Sequence, residues 1–215
     1  MLKIQRFVFN PFYENTYIIW NDGSKEGAII DPGCYDSKER EAVDDFIRLN
    51  SIHLIYLINT HCHIDHIFGN AHIKLKYRPI YLAPEKDVFM LDLMIDAAKN
   101  YGVEFTPSPK PDQFISEEAA LVLGDLKGIF LFTPGHTPGE FCLYYEKEKI
   151  CFTGDVLFKG SIGRTDLWGG DYDTLIESIQ NKLLTLPDDV IIYPGHDSRS
   201  TIGDEIKYNP FLKSS

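Results

Sequence analysis

No apolar run in this chain approaches the roughly 20 residues that a membrane-spanning helix needs. Its start, Met1-Leu2-Lys3-Ile4-Gln5-Arg6, lacks the apolar stretch and small-residue cleavage pattern of a secretory signal. Both absences lead to the expectation of a cytoplasmic protein with no membrane partner. Positive charge is scarce as well: 21 Lys and Arg stand against 32 Asp and Glu, a net charge of −11. Nucleic-acid binding draws much of its affinity from basic patches. The one local basic cluster, Lys74-Leu75-Lys76-Tyr77-Arg78, reads as a solvated helix end, so no nucleic-acid partner is expected. Cys-x-x-Cys is missing, so Cys34, Cys62, Cys142 and Cys151 indicate neither a thiolate zinc site nor a thioredoxin-type motif. They read as free buried thiols, with Cys142 and Cys151 in neighbouring strand-like runs. Linkers, low-complexity stretches and short-period repeats are absent too. That leaves a single domain over residues 1–215, long enough for a substantial core.

What is present is an alternation of strand-like and helix-like segments. Gln5–Phe9, Thr16–Trp20 and Ala28–Ile30 are strand candidates, with a turn at Asn21-Asp22-Gly23-Ser24. Asp36–Asn50 reads as a helix opened by an Asp36/Glu39 capping box. Its apolar face carries Ala42, Val43, Phe46, Ile47 and Leu49. His53–Thr60 is a buried strand, His66–Tyr77 a helix and Ile80–Leu82 a short strand. Pro84–Tyr101 is an amphipathic helix that stops near Gly102, and its spacing places Val88, Phe89, Leu91, Met94, Ile95 and Ala98 inward. The proline-rich run Thr106–Pro111 is the candidate lid. Strands return from Leu121 to Gly154, with a hairpin around Lys147-Glu148. Helix Asp171–Leu186, strand Val190–Tyr193 and helix Ile202–Tyr208 follow. Strands precede helices in each half, which suggests two β-α halves.

Five of the seven histidines lie in three short motifs, each closing an apolar run that reads as a strand. Leu54–Asn59 leads into Thr60-His61-Cys62-His63-Ile64-Asp65-His66, Ile129–Phe132 into Thr133-Pro134-Gly135-His136, and Val190–Tyr193 into Pro194-Gly195-His196. A fourth run, Ile150–Phe152, leads through Thr153-Gly154 into Asp155. Strand ends hold side chains rigidly, as metal ligands require. His61 and His63 are two apart and can point to one side, whereas Asp65 and His66 diverge from them where the chain turns helical. One segment thereby offers donors to two neighbouring ions. Asp155, with two oxygens, can bridge them. A set of nitrogen and oxygen donors suits zinc, and also iron or manganese. Two divalent ions at roughly 3.5–4 Å can share a hydroxide and clamp an oxyanion. Cys62, between two donors, is expected to point away from them. His53 and His72 fit no motif and read as structural.

His61-x-His63-x-Asp65-His66, Gly135-His136, Gly154-Asp155 and Gly195-His196, with Asn15-Thr16-Tyr17 and Ile30-Asp31-Pro32-Gly33, resemble the metallo-β-lactamase superfamily over nearly the whole chain. The resemblance implies an α+β fold, a four-layer αβ/βα sandwich. Within the superfamily the chain is similar to the short glyoxalase II-type hydrolases. It shares Thr133–Gly139, Gly154–Phe158, Gly163-Arg164-Thr165-Asp166 and the tail Thr201-Ile202-Gly203-x-Glu205-x5-Pro210-Phe211. That likeness implies His61, His63 and His136 on one metal, Asp65, His66 and His196 on the other, and Asp155 between them. Asp65 and Asp155 are the carboxylates it places at the reaction. The implied activity is hydrolysis of a small thioester of the S-lactoylglutathione type by metal-bound hydroxide, with a thiolate leaving group that needs no strong acid.

Three departures stand out. The C-terminal helical domain that binds glutathione in full-length glyoxalase II has no counterpart before the chain ends at Ser215, which leaves the thiol part of the preferred substrate open. Asp197 follows His196 where the group usually has Gly. Arg164 and Asp166 occupy the loop where full-length relatives carry a Lys and a Tyr; Arg164 can clamp a substrate carboxylate or form a surface pair with Asp166 or Asp171. Asp31 is either a support for the first motif by hydrogen bonding or a turn-former before Pro-Gly. The alternative activity is that of the persulfide dioxygenases, which share the Gly163–Asp166 pattern and hold one iron, here by His61, His136 and Asp155. A flavodiiron-type role would call for a flavin domain, and a metal-free interaction protein would have lost donors.

Overall fold

The computed structural model describes residues 1–213. The chain forms two compact units. One comprises Met1–Ile115 with Val122–Leu126, and the other Ser116–Leu121 with the chain from Lys127 onward.

In the first unit, β1 (Leu2–Phe9), β2 (Glu14–Asn21), β3 (Glu26–Ile30), β4 (His53–Ile58), β5 (Ile80–Ala83) and β6 (Gln113–Phe114) lie side by side in sequence order. β1, β2 and β3 pair antiparallel, and β3 to β6 pair parallel. All eight residues of β2 are buried, as expected of a strand covered on both faces. The helices are α1 (Ser37–Leu49), α2 (Ile64–Ile67), α3 (Asn70–Tyr77) and α4 (Met90–Tyr101). The core gathers Ile18, Ile29, Val43, Ile47, Leu57, Ile67, Ile73 and Tyr81.

Sequence expectations held for these elements to within a few residues, with instructive exceptions. Asp36 caps α1 by accepting from the Glu39 amide. The reciprocal arm of the capping box is not made. Glu39 instead accepts from the amides of Asn10 and Tyr35, tying the β1–β2 turn to the helix start. Leu49 is 71% exposed, because it sits off the Val43/Ile47 stripe. The expected helix from His66 to Tyr77 is two pieces. Gly69 turns its N–H to the Pro32 carbonyl at 2.6 Å, and a Cβ there would lie 2.3 Å from Cys34 Sγ. Residues 84–101 open with a 3-10 turn at Glu85–Asp87, and α4 ends at a left-handed Gly102 (φ 67°). Phe89, expected inward, is 37% exposed. The proline-rich segment is anchored at two points: Ser108 Oγ accepts from Asn70, and the Tyr81 amide donates to Asp112.

In the second sheet, β7 (Ala120–Leu123), β8 (Leu126–Phe132), β9 (Phe141–Tyr145), β10 (Ile150–Gly154), β13 (Ile191–Pro194) and β14 (Ser200–Thr201) lie in the order β14-β13-β10-β9-β8-β7. β10 and β13 pair parallel, while β9 pairs antiparallel with both β8 and β10. β11 (Leu157–Phe158) and β12 (Ser161–Ile162) make a small hairpin that the sequence pattern did not reveal. The helices are α5 (Tyr172–Ser178) and α6 (Ile202–Tyr208). Asp171 caps α5 through the Thr174 amide. The expected continuation to Leu186 relaxes into a π-turn over Ile179–Leu183. The core here is Cys142, Cys151, Leu175, Ile179, Leu183, Ile192 and Ile202 among others. All four thiols are free and buried. Among the described residues, no helix is long and apolar enough to cross a membrane.

Candidate metal centre

In the first unit the pairing of β3 with β4 decides where donors emerge. Ile30 faces Ile58 in parallel register, so Asp31 and the Asn59-Thr60 step leave the sheet side by side. The Asp31 amide donates to the Ile58 carbonyl at 2.8 Å, and Asp31 adopts a left-handed conformation (φ 48°). Its buried carboxylate accepts from the Thr60 amide (2.8 Å) and the Thr60 hydroxyl (2.7 Å). That hydroxyl has one hydrogen and gives it to Asp31, so toward His61 Nδ1, 3.0 Å away, it acts as acceptor. His61 then carries its proton on Nδ1 and keeps the Nε2 lone pair for a ligand. His66 Nδ1 lies 3.2 Å from Asp31 Oδ2, and its Nε2 lies 3.6 Å from Asp65 Oδ2. The rings of His61 and His66 are 4.1 Å apart between centroids, and those of His61 and His63 4.9 Å. Donor atoms of Asp31, His61 and His66 fall within 4.8 Å of one another. Because Asp31 is engaged by Thr60 and His66, we read it as the group that orients these imidazoles rather than as a ligand.

Behind this cluster lie residues that the sequence did not single out. Asn59 donates to the His66 carbonyl, and Asn70 to Asn59. Asn10 donates to the carbonyls of Gly33 and Asp65 at 3.0 Å each. Glu14 is fully buried; its Oε2 accepts from Thr16, and its Oε1 has no hydrogen-bond partner. Burial drives its pKa well above the ordinary value, with Asp31 and Asp65 adding to the rise and His66 opposing it. Cys62 packs into the core, and burial raises its thiol pKa too. His72 is held by Asp44 at 3.1 Å, away from the cluster.

In the second unit the same logic recurs. Gly154 faces Pro194 in the parallel pair β10–β13, and the Gly195 amide donates to the Gly154 carbonyl at 2.7 Å. Asp155 and His196 therefore leave the sheet together. β8 runs in the same direction as β10, since both are antiparallel to β9, and delivers His136 at that same end. His136 Nδ1 donates to the Arg164 carbonyl at 2.7 Å, which leaves its Nε2 as the ligand atom. Asp155 Oδ2 sits 3.6 Å from His136 Nε2 and 3.5 Å from His196 Nε2. These spans exceed ordinary hydrogen bonds. They match two donors on one ion, which at bond lengths of about 2.0–2.1 Å stand roughly 3.3 Å apart. The Arg164 side chain makes a two-point pair with Asp166 at 2.7 and 2.8 Å, and that pairing holds the exposed Asp166 carboxyl down to about 2. Asp197 takes the left-handed conformation (φ 64°) that the glycine usual at this place adopts freely. Gly163 must be glycine: a Cβ would lie 1.8 Å from the Asp155 carbonyl.

A family model, that of the metallo-β-lactamase superfamily, matches residues 9–196. The chain belongs to that superfamily. It has the α+β metallo-β-lactamase fold expected from its motifs, and the family together with its hydrolase relatives supports a metal-dependent hydrolase. One relative is the hydroxyacylglutathione hydrolase GloC of Haemophilus influenzae, 39% identical, with 99% of each chain covered. Another is a probable metallo-hydrolase of Bacillus subtilis, YqgX, 33% identical over 98% of each chain. Among solved structures, the BLEG-1 B3 metallo-β-lactamase superposes with a TM-score of 0.89 at 34% identity, covering the whole of both chains. A protein solved in a di-iron-bound form superposes at 0.86 and 29% identity, covering 97% of this chain and all of its own. The donor chemistry of the two clusters, nitrogen and carboxylate oxygen on buried or half-buried, pre-aligned side chains, fits the divalent metals of the superfamily.

Proposed function

We propose that the chain is a dinuclear metal hydrolase acting on small thioesters, of the S-lactoylglutathione type or a relative. His61, His63 and His136 would hold one ion, Asp65, His66 and His196 the other, and Asp155 both. The observation that carries the reading is Asp155 Oδ2, flanked by two imidazole nitrogens at nearly equal distance. One carboxylate so placed is suited to serve two ions. Zinc is the first choice of metal, with iron or manganese as alternatives.

Divalent ions bound there would supply an activated water at neutral pH and an electrophilic clamp for developing oxyanion charge. The chain's own part is alignment. Thr60 and the Arg164 carbonyl fix the tautomers of His61 and His136, and Asp31 turns His66. A thiolate departs without a strong acid, which suits a donor set rich in imidazole and carboxylate. Arg164 would meet a substrate carboxylate by exchanging Asp166 for it. Such exposed pairs are weak because water screens them, so the exchange is easy. We place this chemistry in the cytoplasm, on a free small molecule, within one functional domain.

The GloC relative supports the thioester; the B3 enzyme makes a β-lactam amide the second candidate. Purified metal-loaded protein is assayed on S-lactoylglutathione, on a chromogenic cephalosporin and, with an oxygen electrode, on glutathione persulfide. Thioester cleavage at least tenfold above the other two in kcat/KM is the expected result. Oxygen uptake on the persulfide without thioester cleavage would replace this reading with a mononuclear iron dioxygenase.

A further inference from the structure

Glu140 is wholly buried in the second unit, immediately ahead of β9. A buried carboxyl is costly unless its oxygens are satisfied, and Glu140 Oε1 accepts from the Asp155 backbone amide at 2.7 Å. That length is a well-formed backbone N–H···O hydrogen bond. The main chain of Glu140 has a second task. Its carbonyl accepts from the Thr133 amide at 2.9 Å and so pinches shut the loop that carries His136. Within that loop the Gly135 amide donates to the Thr137 carbonyl. One residue therefore ties the loop of His136 to the backbone of Asp155. Asp155 is in turn adjacent to Gly154, whose carbonyl anchors Gly195 beside His196. Asp155 needs such a tether. It follows Gly154, which is left-handed at φ 48°, and the β10–β13 register shifts between Phe152 and Gly154, so no regular ladder fixes the Asp155 amide.

We propose that Glu140 is a positioning residue: through the Asp155 amide it sets the carboxylate that the reading above places between two ions. The inference rests on that reading, and metal binding tests it without reference to any substrate. Zinc affinity is measured on metal-free protein by competition with a chromogenic chelator, for wild type, Glu140→Ala, Glu140→Gln and the control Asp155→Ala. Removing the acceptor in Glu140→Ala should weaken zinc about ten- to a hundredfold, the usual cost of losing a group that orients a ligand. Glu140→Gln keeps an acceptor oxygen at the same place and should stay within about fivefold of wild type. A merely structural glutamate would lower the melting temperature in both variants and leave zinc affinity unchanged; that result overturns the proposal. So does a glutamine variant as weak as the alanine one. If Asp155→Ala itself keeps full zinc affinity, the ligand assignment falls instead. Amide hydrogen exchange on metal-free wild type covers the case in which Glu140→Ala does not fold. Slow exchange at Asp155 is expected, and exchange as fast as in exposed loops contradicts the tether.

Discussion

The two donor clusters are built on one plan and braced by different means. In each unit a pair of parallel strands ends in register, β3 with β4 and β10 with β13, and residues of the candidate site leave the sheet side by side. In each unit an imidazole is fixed through Nδ1, which frees Nε2. The bracing differs. The first cluster is held by side chains: Asp31 accepts from Thr60, while Asn59 and Asn10 donate to the carbonyls of His66 and Asp65. The second is held mostly by main chain: the carbonyls of Arg164 and Gly154, and the Asp155 amide on Glu140. The first cluster draws most of its donors from seven consecutive residues, so nearby side chains suffice to arrange them. The second draws each donor from a different loop, and backbone contacts bring the loops into line.

That difference can be broken at chosen points. The largest effect is expected where the plan is common to both. His61→Ala and Asp155→Ala should each lower kcat/KM for the thioester about a thousandfold or more, the scale of losing metal stabilisation of the reacting centre. Circular dichroism should show the fold retained, and near-normal activity in either variant contradicts the site. Next comes the main-chain bracing. Gly163→Ala drives a methyl into the Asp155 carbonyl, a backbone atom that cannot swing aside. A loss of about 3 kcal/mol in stability is expected, the upper end of overpacking, read by urea denaturation. Thr60→Val tests the side-chain bracing. It keeps the shape and removes the hydroxyl between Asp31 and His61, so zinc affinity should fall about tenfold. An unchanged affinity would mean that packing alone aligns His61.

The smallest effect concerns Glu14, whose pKa is raised chiefly by burial. The folded chain keeps a proton that the unfolded chain releases above about pH 4.3. Metal-free protein should therefore lose stability as pH rises from that value toward the raised folded pKa, because the native state binds more protons than the unfolded state there. Glu14→Gln should flatten this slope, matching wild type near pH 4 and exceeding it at pH 7 in thermal melts. Identical slopes in the two proteins would show that Glu14 is ionised in the fold.

The candidate donors stand out in the sequence because chemistry and position coincide: His and Asp at the ends of apolar runs, with Pro-Gly or Thr-Gly beside them. The alignment of Ile202–Tyr208 with α6 was equally plain. The bracing was not legible. Glu14 and Glu140 carry no local mark of burial, although Glu14 opens the wholly buried β2 and Glu140 immediately precedes the wholly buried β9. Thr60 and Asn59 lie within a readable motif, but their partner Asp31 is 28 to 29 residues away. The break between α2 and α3 at Gly69 depends on a close approach to Pro32 and Cys34, which periodicity cannot register. Arg164 shows the limit most clearly. Its side chain drew attention in the sequence, whereas the atom that reaches His136 is its carbonyl oxygen.

The central claim is that both clusters act together, with Asp155 serving two ions. Elemental analysis of metal per chain, on purified wild type and Asp155→Ala dialysed against the same buffered zinc, tests it most directly. The account predicts two ions in the wild type and the loss of both, or all but a small fraction, in the variant. One ion in the wild type, or two retained in Asp155→Ala, would contradict it.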